Sequence, residues 1–172
     1  FLQEFVPLFN EYYNWIAEEK EVAVIEYQTQ IGADCNDLKQ LLADSHQRDL
    51  HAQYTTVGIH KDDLELNLGE YAVKRFGSQG QQKTFVLALK LAQFQYIYNV
   101  CGTKPILLLD DIFDKLDMER VKQLIQLVGS DRFGQVLITD TQPGRVESIF
   151  DEIGEVEHKI YRVGEGGVCH EI

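Results

Sequence analysis

Two adjacent acids, Asp110 and Asp111, directly follow an apolar run at residues 106–109. An apolar run without alternation is typical of a strand covered on both faces in a parallel sheet. Both carboxylates are therefore predicted at the carboxyl end of that strand, where ligands of open α/β sheets bind. In phosphoryl-transfer ATPases the first such acid holds Mg²⁺, usually through water, and a neighbouring acid orients or deprotonates the attacking water. The alternative is two solvated acids in a loop.

A glycine-containing segment, 77–80, precedes the strongest helical pattern of the chain, 81–99. Ser78 and Gln81 have the spacing of a capping box, in which each side chain bonds the other's backbone N–H group. The same geometry leaves backbone N–H groups and the positive end of the helix dipole open to a phosphate, and Gly80 allows close approach. A structural cap and a phosphate site are therefore compatible here.

Residues 77–84 also approach the P-loop pattern GxxxxGK[ST]. Gln82 stands where the pattern requires a second glycine, which lets the backbone wrap around the phosphates. A true P-loop is therefore not expected, and Lys83 is predicted to be a surface lysine in the first helical turn rather than a phosphate ligand.

Two other groups of residues come into consideration as metal ligands. His60, Asp62 and Asp63 could be metal ligands, but we favour hydrogen-bonded structural roles, which are more common for one histidine beside two acids. The cysteines form an odd set without CxxC spacing, which favours free thiols over a zinc site or disulfide framework: Cys35, Cys101 and Cys169.

Hydrophobic periodicity predicts the elements that would position these residues. They are a helix over 2–19, a strand over 22–27, a short helix around 38–42, a β-hairpin over 63–76, a helix over 81–99, buried strands over 106–109 and 136–138, helices over 118–128 and 146–153, and a hairpin turning at 164–167. The alternation after residue 77 predicts an α/β fold with a parallel sheet.

Two further polar positions fall at the ends of these elements. Asp117 is a good N-cap for the helix that begins near Met118. Thr139 and Asp140 end the second buried strand, so they are expected at the same sheet edge as the acid pair at 110–111.

Composition limits the possible classes of protein. The 172 residues are 44% hydrophobic and 26% charged, which is ordinary for a globular domain. No run is long enough for a membrane span, and a cytoplasmic protein is expected. The net charge of −12 argues against a surface that coats nucleic acid. However, residues 71–109 carry +5 and no acid, so the remaining 133 residues carry −17. Positive charge therefore surrounds the candidate phosphate site.

The ordered segments resemble those of ABC-type ATPase heads in SMC proteins and, most closely, in the RecF family of bacterial DNA replication and repair proteins. Residues 76–83, Phe-Gly-Ser-Gln-Gly-Gln-Gln-Lys, resemble the signature motif, and 107–117 resemble Walker B and the D-loop. Residues 58–64, Gly-Ile-His-Lys-Asp-Asp-Leu, are similar to that family's Gly-Pro-His-Arg-Asp-Asp-Leu segment. The resemblance spans roughly 54–142.

This resemblance implies the C-terminal half of an ABC-type P-loop ATPase head, with a parallel sheet core, a β-hairpin and a remnant of a helical arm. Residues 1–50 would belong to the arm and 51–172 to the head. Walker A would lie in the family's N-terminal half, which is not in this chain. ATP and Mg²⁺ are the implied cofactors. The implied partners are a second copy joined through ATP, double-stranded or gapped DNA, RecR and RecO.

The resemblance also implies residue roles in such a dimer. Asp110 would serve Mg²⁺ and Asp111 would be catalytic. The signature residues would contact a nucleotide held by the partner: Ser78, Gln79, Gly80 and Gln81. Leu116 and Asp117 would form the D-loop, and Thr139 and Asp140 the switch region.

Three departures from the pattern stand out. Asp111 replaces the glutamate of most ABC ATPases, Asp140 falls where the wider superfamily has a histidine, and Ile59 and Lys61 replace proline and arginine. The implied function is DNA replication, recombinational repair and the SOS response, with weak ATPase activity only when the missing half and dimerisation are supplied. Alternatives are a non-hydrolysing dimerisation module, or another repair ATPase head of the SMC or RecN kind. Marginal solubility is expected of the isolated chain, because a sheet without its neighbouring strands exposes apolar edges.

Overall fold

The computed structural model describes residues 1–18, 21–32, 35–114, 116–142, 144–154, 156–164, 167 and 169–171. Contacts divide the chain into two compact units. The first comprises 1–21 and 78–172, and the second comprises 22–77. The division into an arm over 1–50 and a head lobe over 51–172 stays a prediction.

The first unit begins with a long amphipathic helix, α1 (Leu2–Ala17). Its aromatic residues recur every three or four positions, so Phe9 and Tyr13 share one face and are both 0% exposed. That face packs against Phe85 of a second helix, with ring centroids 4.6 Å and 5.6 Å away. The predicted helix over 2–19 is confirmed as far as Ala17, and residue 19 lies outside the described residues.

The helix that carries Phe85 is α4 (Gln79–Cys101), the longest in the described residues. It ends at Gly102, whose φ of 70° lets its N–H group bond the carbonyl of Tyr98 at 2.8 Å. Two further helices are described in this unit, α5 (Met118–Val128) and α6 (Arg145–Ile153). All three predicted helices are confirmed, with α4 extended by two residues at each end.

The first unit also contains two parallel strands, β4 (Leu107–Asp110) and β5 (Val136–Thr139). The prediction that both are covered on two faces is wrong. Leu107 and Leu109 are buried, whereas Leu108 is 69% exposed and Leu137 is 49% exposed. Within the described residues, the sheet is covered on one face only, and its other face is apolar and open.

The last described elements form a small antiparallel hairpin, β6 (Tyr161–Val163) and β7 (Cys169–Glu171), as predicted. Part of its predicted turn at 164–167, residues 165 and 166, lies outside the described residues.

The second unit is an antiparallel sheet with helices. Its elements are β1 (Ala23–Gln28), α2 (Cys35–Ala52), a single 3₁₀ turn (Ile59–Lys61), β2 (Asp63–Leu68), β3 (Tyr71–Ala72) and α3 (Val73–Phe76). The strand order is β1-β2-β3, and Gly69, with a φ of 57°, forms the tight turn between the last two strands.

Two predictions for the second unit need correction. The strand expected to continue to residue 76 ends at Ala72, because residues 73–76 coil into α3 and the N–H group of Gly77 bonds the carbonyl of Val73 at 2.9 Å. The short helix expected around 38–42 is the 18-residue α2. No helix in the described parts of the chain has the length and apolar character needed to cross a membrane.

Candidate functional site

The carboxyl ends of β4 and β5 bring Asp110 and Thr139 together. The two residues are directly paired in the parallel register, and both are exposed. The hydroxyl of Thr139 donates a hydrogen bond to Oδ1 of Asp110. The predicted meeting of these residues at one sheet edge is confirmed.

Asp111 occupies an unusual backbone conformation immediately after β4. Its φ is 48°, which lies in the left-handed region of the backbone. Glycine adopts this conformation freely, Asn and Asp adopt it at modest cost, and most other residues avoid it. The chain turns sharply there, so Asp111 stays exposed while Ile112 and Phe113 are only 3% and 4% exposed. The two buried side chains anchor the turn, and Asp111 remains exposed next to Asp110.

Lys83 holds this turn from helix α4. Its ammonium donates hydrogen bonds to the backbone carbonyls of Asp111, at 2.5 Å, and of Asp114, at 2.9 Å. The prediction of a surface lysine missed this role, because the partners lie 28 and 31 residues away in sequence. The sequence did contain one indication of a distant partner: positions 71–109 contain no acid, so Lys83 has no ion-pair partner on its own helix.

The P-loop resemblance of residues 77–84 does not extend to structure. A P-loop is an open loop between a strand and a helix. Here the preceding element is α3, and α4 begins at Gln79, so the residues that would wrap around phosphates are already helical. The expectation that no true P-loop lies here agrees with this geometry.

The N-terminus of α4 carries the predicted capping box. The N–H group of Gln81 donates to Oγ of Ser78 at 3.2 Å, and the N–H group of Ser78 donates to Oε1 of Gln81 at 2.8 Å. The box uses both side chains to satisfy backbone groups. The positive end of the dipole of this 23-residue helix lies at residues 78–80.

Asp140 differs from its neighbours at the sheet edge because its side chain is only 1% exposed. Nε of Arg145 donates to Oδ2 of Asp140 at 2.5 Å, and the terminal Nη2 donates to Oδ1. The hydrogen bonds from Arg145 lower the pKa of Asp140. Asp140 is therefore an anchor for Arg145 rather than part of the open edge.

Arg145 is a residue that the sequence reasoning missed. Besides Asp140, it contacts the carboxylate of Asp114 at 3.3 Å, and its guanidinium lies 5.6 Å from the ring centroid of Phe113. These contacts connect the start of α6 to the turn that follows β4. The turn at 111–114 is thus contacted by both Lys83, through its backbone carbonyls, and Arg145, through the carboxylate of Asp114.

Glu21 connects three helices near the capping box. One carboxylate oxygen accepts a hydrogen bond from the hydroxyl of Tyr13 at 2.5 Å, and the other accepts from Nε2 of Gln81 and from Arg120, each at 3.0 Å. Arg120 lies in α5, whose N-cap is Asp117, as predicted; the N–H group of Arg120 donates to that carboxylate at 2.9 Å. The cap of α4 and the start of α5 are therefore coupled through one acid.

The environment of Glu21 favours its charged form. Partial burial alone would raise the pKa of Glu21, but the hydrogen bonds from Tyr13 and Gln81, together with the charge of Arg120, outweigh burial and lower it. Sequence reasoning missed Glu21, whose partners lie 8, 60 and 99 residues away.

Replacing Glu21 by glutamine is expected to lower the free energy of unfolding of this unit by about 1 kcal/mol at neutral pH, since a neutral amide accepts weaker hydrogen bonds. Because folding lowers the pKa of Glu21, its carboxylate stabilises the fold above its ordinary value of 4.5, and this contribution is lost as the pH falls through the lower folded value. The difference between wild type and variant should therefore be full at neutral pH and shrink in acid.

Urea unfolding followed by the fluorescence of Trp15, the single tryptophan, measures this difference, because Trp15 lies in the same unit as Glu21. Glu157→Gln, at an exposed glutamate of the same unit, is the matched control and should have no measurable effect. A penalty for Glu21→Gln that stays constant on acidification would contradict the charge argument.

His60, Asp62 and Asp63 have separate hydrogen-bond partners in the second unit. Nε2 of His60 lies 2.9 Å from the carbonyl of Thr55, Asp62 accepts from the hydroxyl of Tyr27, and Asp63 accepts from the next backbone N–H group at 2.8 Å. Across the described ranges, no group of three or more His, Cys, Asp or Glu side chains is arranged to hold a metal ion. These contacts favour the structural interpretation of the three residues.

Comparison with known proteins identifies similar sequences. The DNA replication and repair protein RecF of Phocaeicola vulgatus is 45% identical over 169 residues, which cover 98% of this chain and 45% of the relative. RecF of Bacteroides fragilis is 44% identical over 168 residues, with coverages of 98% and 45%, and RecF of Flavobacterium johnsoniae is 44% identical over 163 residues, with coverages of 95% and 44%. No protein-family model matches the chain.

Solved structures share the fold. A structure of the recombination mediator protein RecF with ATP superposes with a TM-score of 0.70 at 24% identity, covering 99% of this chain and 44% of the other. An SMC ATPase structure described for ATP-driven dimerisation gives a TM-score of 0.56 at 16% identity, with coverages of 99% and 83%. The fold is that of RecF and SMC ATPase heads, as predicted. The chain spans about 45% of the length of the curated relatives it matches, and it corresponds to the C-terminal half of RecF proteins.

Proposed function

We propose that this chain supplies the signature motif, Walker B and D-loop of a RecF-type ATPase that dimerises around ATP and acts on DNA in replication, recombinational repair and the SOS response. The observation that carries the proposal is the sheet edge at which Asp110, Asp111 and Thr139 lie exposed together. Residues 51–172 would form the head lobe and 1–50 part of the arm. RecR, RecO and double-stranded or gapped DNA are the proposed partners of the complete protein.

The N-terminus of α4 is the proposed contact to a nucleotide held by the second protomer. The helix dipole places partial positive charge there, and backbone N–H groups of a first helical turn are suited to a phosphate. Ser78, Gln79, Gly80 and Gln81 would form this contact. The acid-free stretch over 71–109, with its charge of +5, favours an anionic ligand at the same place.

The residues at the sheet edge fit Mg²⁺. Mg²⁺ usually keeps several waters and binds one or two carboxylates together with substrate phosphates. Asp110 offers an exposed carboxylate oriented by the hydroxyl of Thr139. When bound, Mg²⁺ would neutralise charge on the phosphates. Asp111, beside it, would accept a proton from the attacking water.

The remaining predicted site residues have indirect roles in this proposal. Asp117 is 58% exposed while it caps α5, so it can face a second protomer, with half-buried Leu116 beside it. In the switch region, Thr139 orients Asp110. Asp140, buried against Arg145, would support the turn rather than contact a phosphate.

The exposed apolar face of the β4–β5 sheet is evidence that the complete ATPase head is larger than this chain. Leu108 and Leu137, which are paired in the sheet, are 69% and 49% exposed, and Ile106, just before β4, is 60% exposed. An apolar parallel sheet is normally covered on both faces. We propose that this face packs against the part of the head that the relatives carry in their other half.

The test uses a fusion protein in which the N-terminal half of RecF from Bacteroides fragilis precedes residue 1. We expect this fusion protein to be a monomer without nucleotide and a dimer with ATP and Mg²⁺, as measured by analytical ultracentrifugation. The chain without the added half should bind ATP poorly.

A matched pair of substitutions at Ser78 tests the signature contact. Asparagine and aspartate are both good N-caps, so both variants should keep α4 intact. Ser78→Asp places a negative charge against the phosphate and should weaken ATP-dependent dimerisation at least about tenfold, whereas Ser78→Asn should retain most of it. Equal dimerisation of the two variants would refute the proposed contact, and stoichiometric, Lys83-dependent ATP binding by the chain alone would favour a degenerate P-loop enzyme.

A further inference from the structure

The turn that carries Asp111 has two backbone carbonyls bound by a single ammonium. Nζ of Lys83 lies 2.5 Å from the carbonyl oxygen of Asp111 and 2.9 Å from that of Asp114. Hydrogen bonds from a charged donor are stronger than those between neutral groups. Since the two carbonyls lie at the two ends of the turn, Lys83 closes it.

Closing this turn matters because its backbone is not in a relaxed conformation. Asp111 has a φ of 48°, and such conformations persist where the surroundings hold them. The surroundings are Ile112 and Phe113, which are buried, and Arg145, which contacts the carboxylate of Asp114 at 3.3 Å. Lys83 differs from these residues because it donates a hydrogen bond to the backbone carbonyl of Asp111 itself.

We propose that Lys83 is a positioning residue, which fixes the carbonyl of Asp111 and thereby the direction in which the Asp111 carboxylate faces the attacking water. The inference rests on the proposed function, because it assumes that Asp111 takes part in hydrolysis. In the proposed dimer, Lys83 would connect the two nucleotide sites to which one protomer contributes. The first turn of α4 would face the nucleotide of the second protomer, whereas Asp111 faces the nucleotide of its own protomer.

Positioning and phosphate binding predict different kinetics for loss of Lys83. A lysine that binds phosphate raises the KM for ATP when removed, whereas a lysine that orients the catalytic acid lowers kcat and leaves KM nearly unchanged. The direction of the ammonium toward two carbonyls favours the second outcome.

The experiment measures kcat and KM for ATP in the fusion protein described above. Lys83→Met keeps an unbranched side chain of nearly the same length but removes the donors, and kcat is expected to fall about tenfold or more, since small misplacements of a catalytic group are costly. KM should change less than about twofold, and ATP-dependent dimerisation should persist. Lys83→Arg, which keeps charge and donors, should recover most of kcat. Lys90→Met, an exposed lysine on the same helix, is the control and should behave as wild type.

Two results would overturn the inference. One is a raised KM with kcat unchanged, which indicates a phosphate ligand; the other is unchanged kcat and KM in Lys83→Met. Asp111→Asn, measured in parallel, separates this failure from that of the proposed function: if Asp111→Asn also turns over normally, the catalytic role of Asp111 fails first. If Asp111→Asn lowers kcat strongly, adding Lys83→Met should lower the remaining rate no further, because both changes act on one group.

Discussion

In the fusion protein, Asp111→Asn is expected to lower kcat for ATP hydrolysis at least about 100-fold, the scale for removing a general base, while ATP-dependent dimerisation is retained. Asparagine has the same shape as aspartate and also tolerates the left-handed conformation, so the φ of 48° and the turn should survive. What is lost is the negative charge that would accept a proton from water. Steady-state phosphate release measures kcat, and analytical ultracentrifugation measures the dimer.

The matched control for this experiment is Asp131→Asn, which removes an exposed acid away from the sheet edge and should leave kcat unchanged. If Asp111→Asn hydrolyses ATP at the rate of the wild type while it dimerises normally, Asp111 is not the catalytic acid. That result would favour the alternative of a non-hydrolysing dimerisation module.

The second large effect is expected in stability. Asp140→Asn should lower the free energy of unfolding of the first unit by about 2 kcal/mol, since the amide NH₂ group then faces a donor of Arg145 and a charged partner is lost. Removing one partner of a fully buried ion pair costs about 3–5 kcal/mol. The smaller value is expected because Arg145 is 19% exposed and keeps part of its hydration.

The pH dependence of this loss follows from the pKa of Asp140, which hydrogen bonds from Arg145 lower below its ordinary value of 3.8. A carboxyl with a lowered folded pKa stabilises the protein above its ordinary value, and the contribution disappears as the pH falls through the folded value. The difference between wild type and Asp140→Asn should therefore be constant near neutral pH and shrink only in strong acid. Urea unfolding monitored by Trp15 gives the free energies.

Asp114→Asn is the matched control, because Asp114 is the other acid that contacts Arg145. Its side chain is 51% exposed and lies 3.3 Å from the guanidinium, so its loss should cost less than about 1 kcal/mol. Equal losses for Asp140→Asn and Asp114→Asn would contradict the view that burial makes Asp140 the principal anchor of Arg145.

The amino-acid sequence by itself determined the features that depend on neighbours within a few residues. The periodicity of apolar side chains identified α1 and α4, because one turn of helix returns every third or fourth residue to the same face. The capping box of Ser78 and Gln81 and the N-cap of Asp117 were predicted for the same reason: a cap and the backbone group that it bonds are three residues apart. The order of the motifs was sufficient to indicate the RecF family.

The burial of the strands was not determined locally. An apolar run without alternation indicates two covered faces, yet Leu108 and Leu137 are open in the described structure. An apolar composition shows only that a strand can be buried on both faces. Which faces are covered depends on the helices and strands that pack against the sheet. Similarly, residues 73–76 have strand-like composition but coil into α3 before the chain enters α4.

Tertiary structure alone decided how the acid pair is held. Lys83 reaches Asp111 across 28 residues, and Arg145 reaches Asp114, in the same turn, across 31. No spacing rule covers such distances, since side chains on a helix meet only at separations of three or four residues. The residue types able to carry the chemistry could be read from the sequence. Their orientation could not, because the groups that orient them come from other helices, brought into contact by the packing of the core.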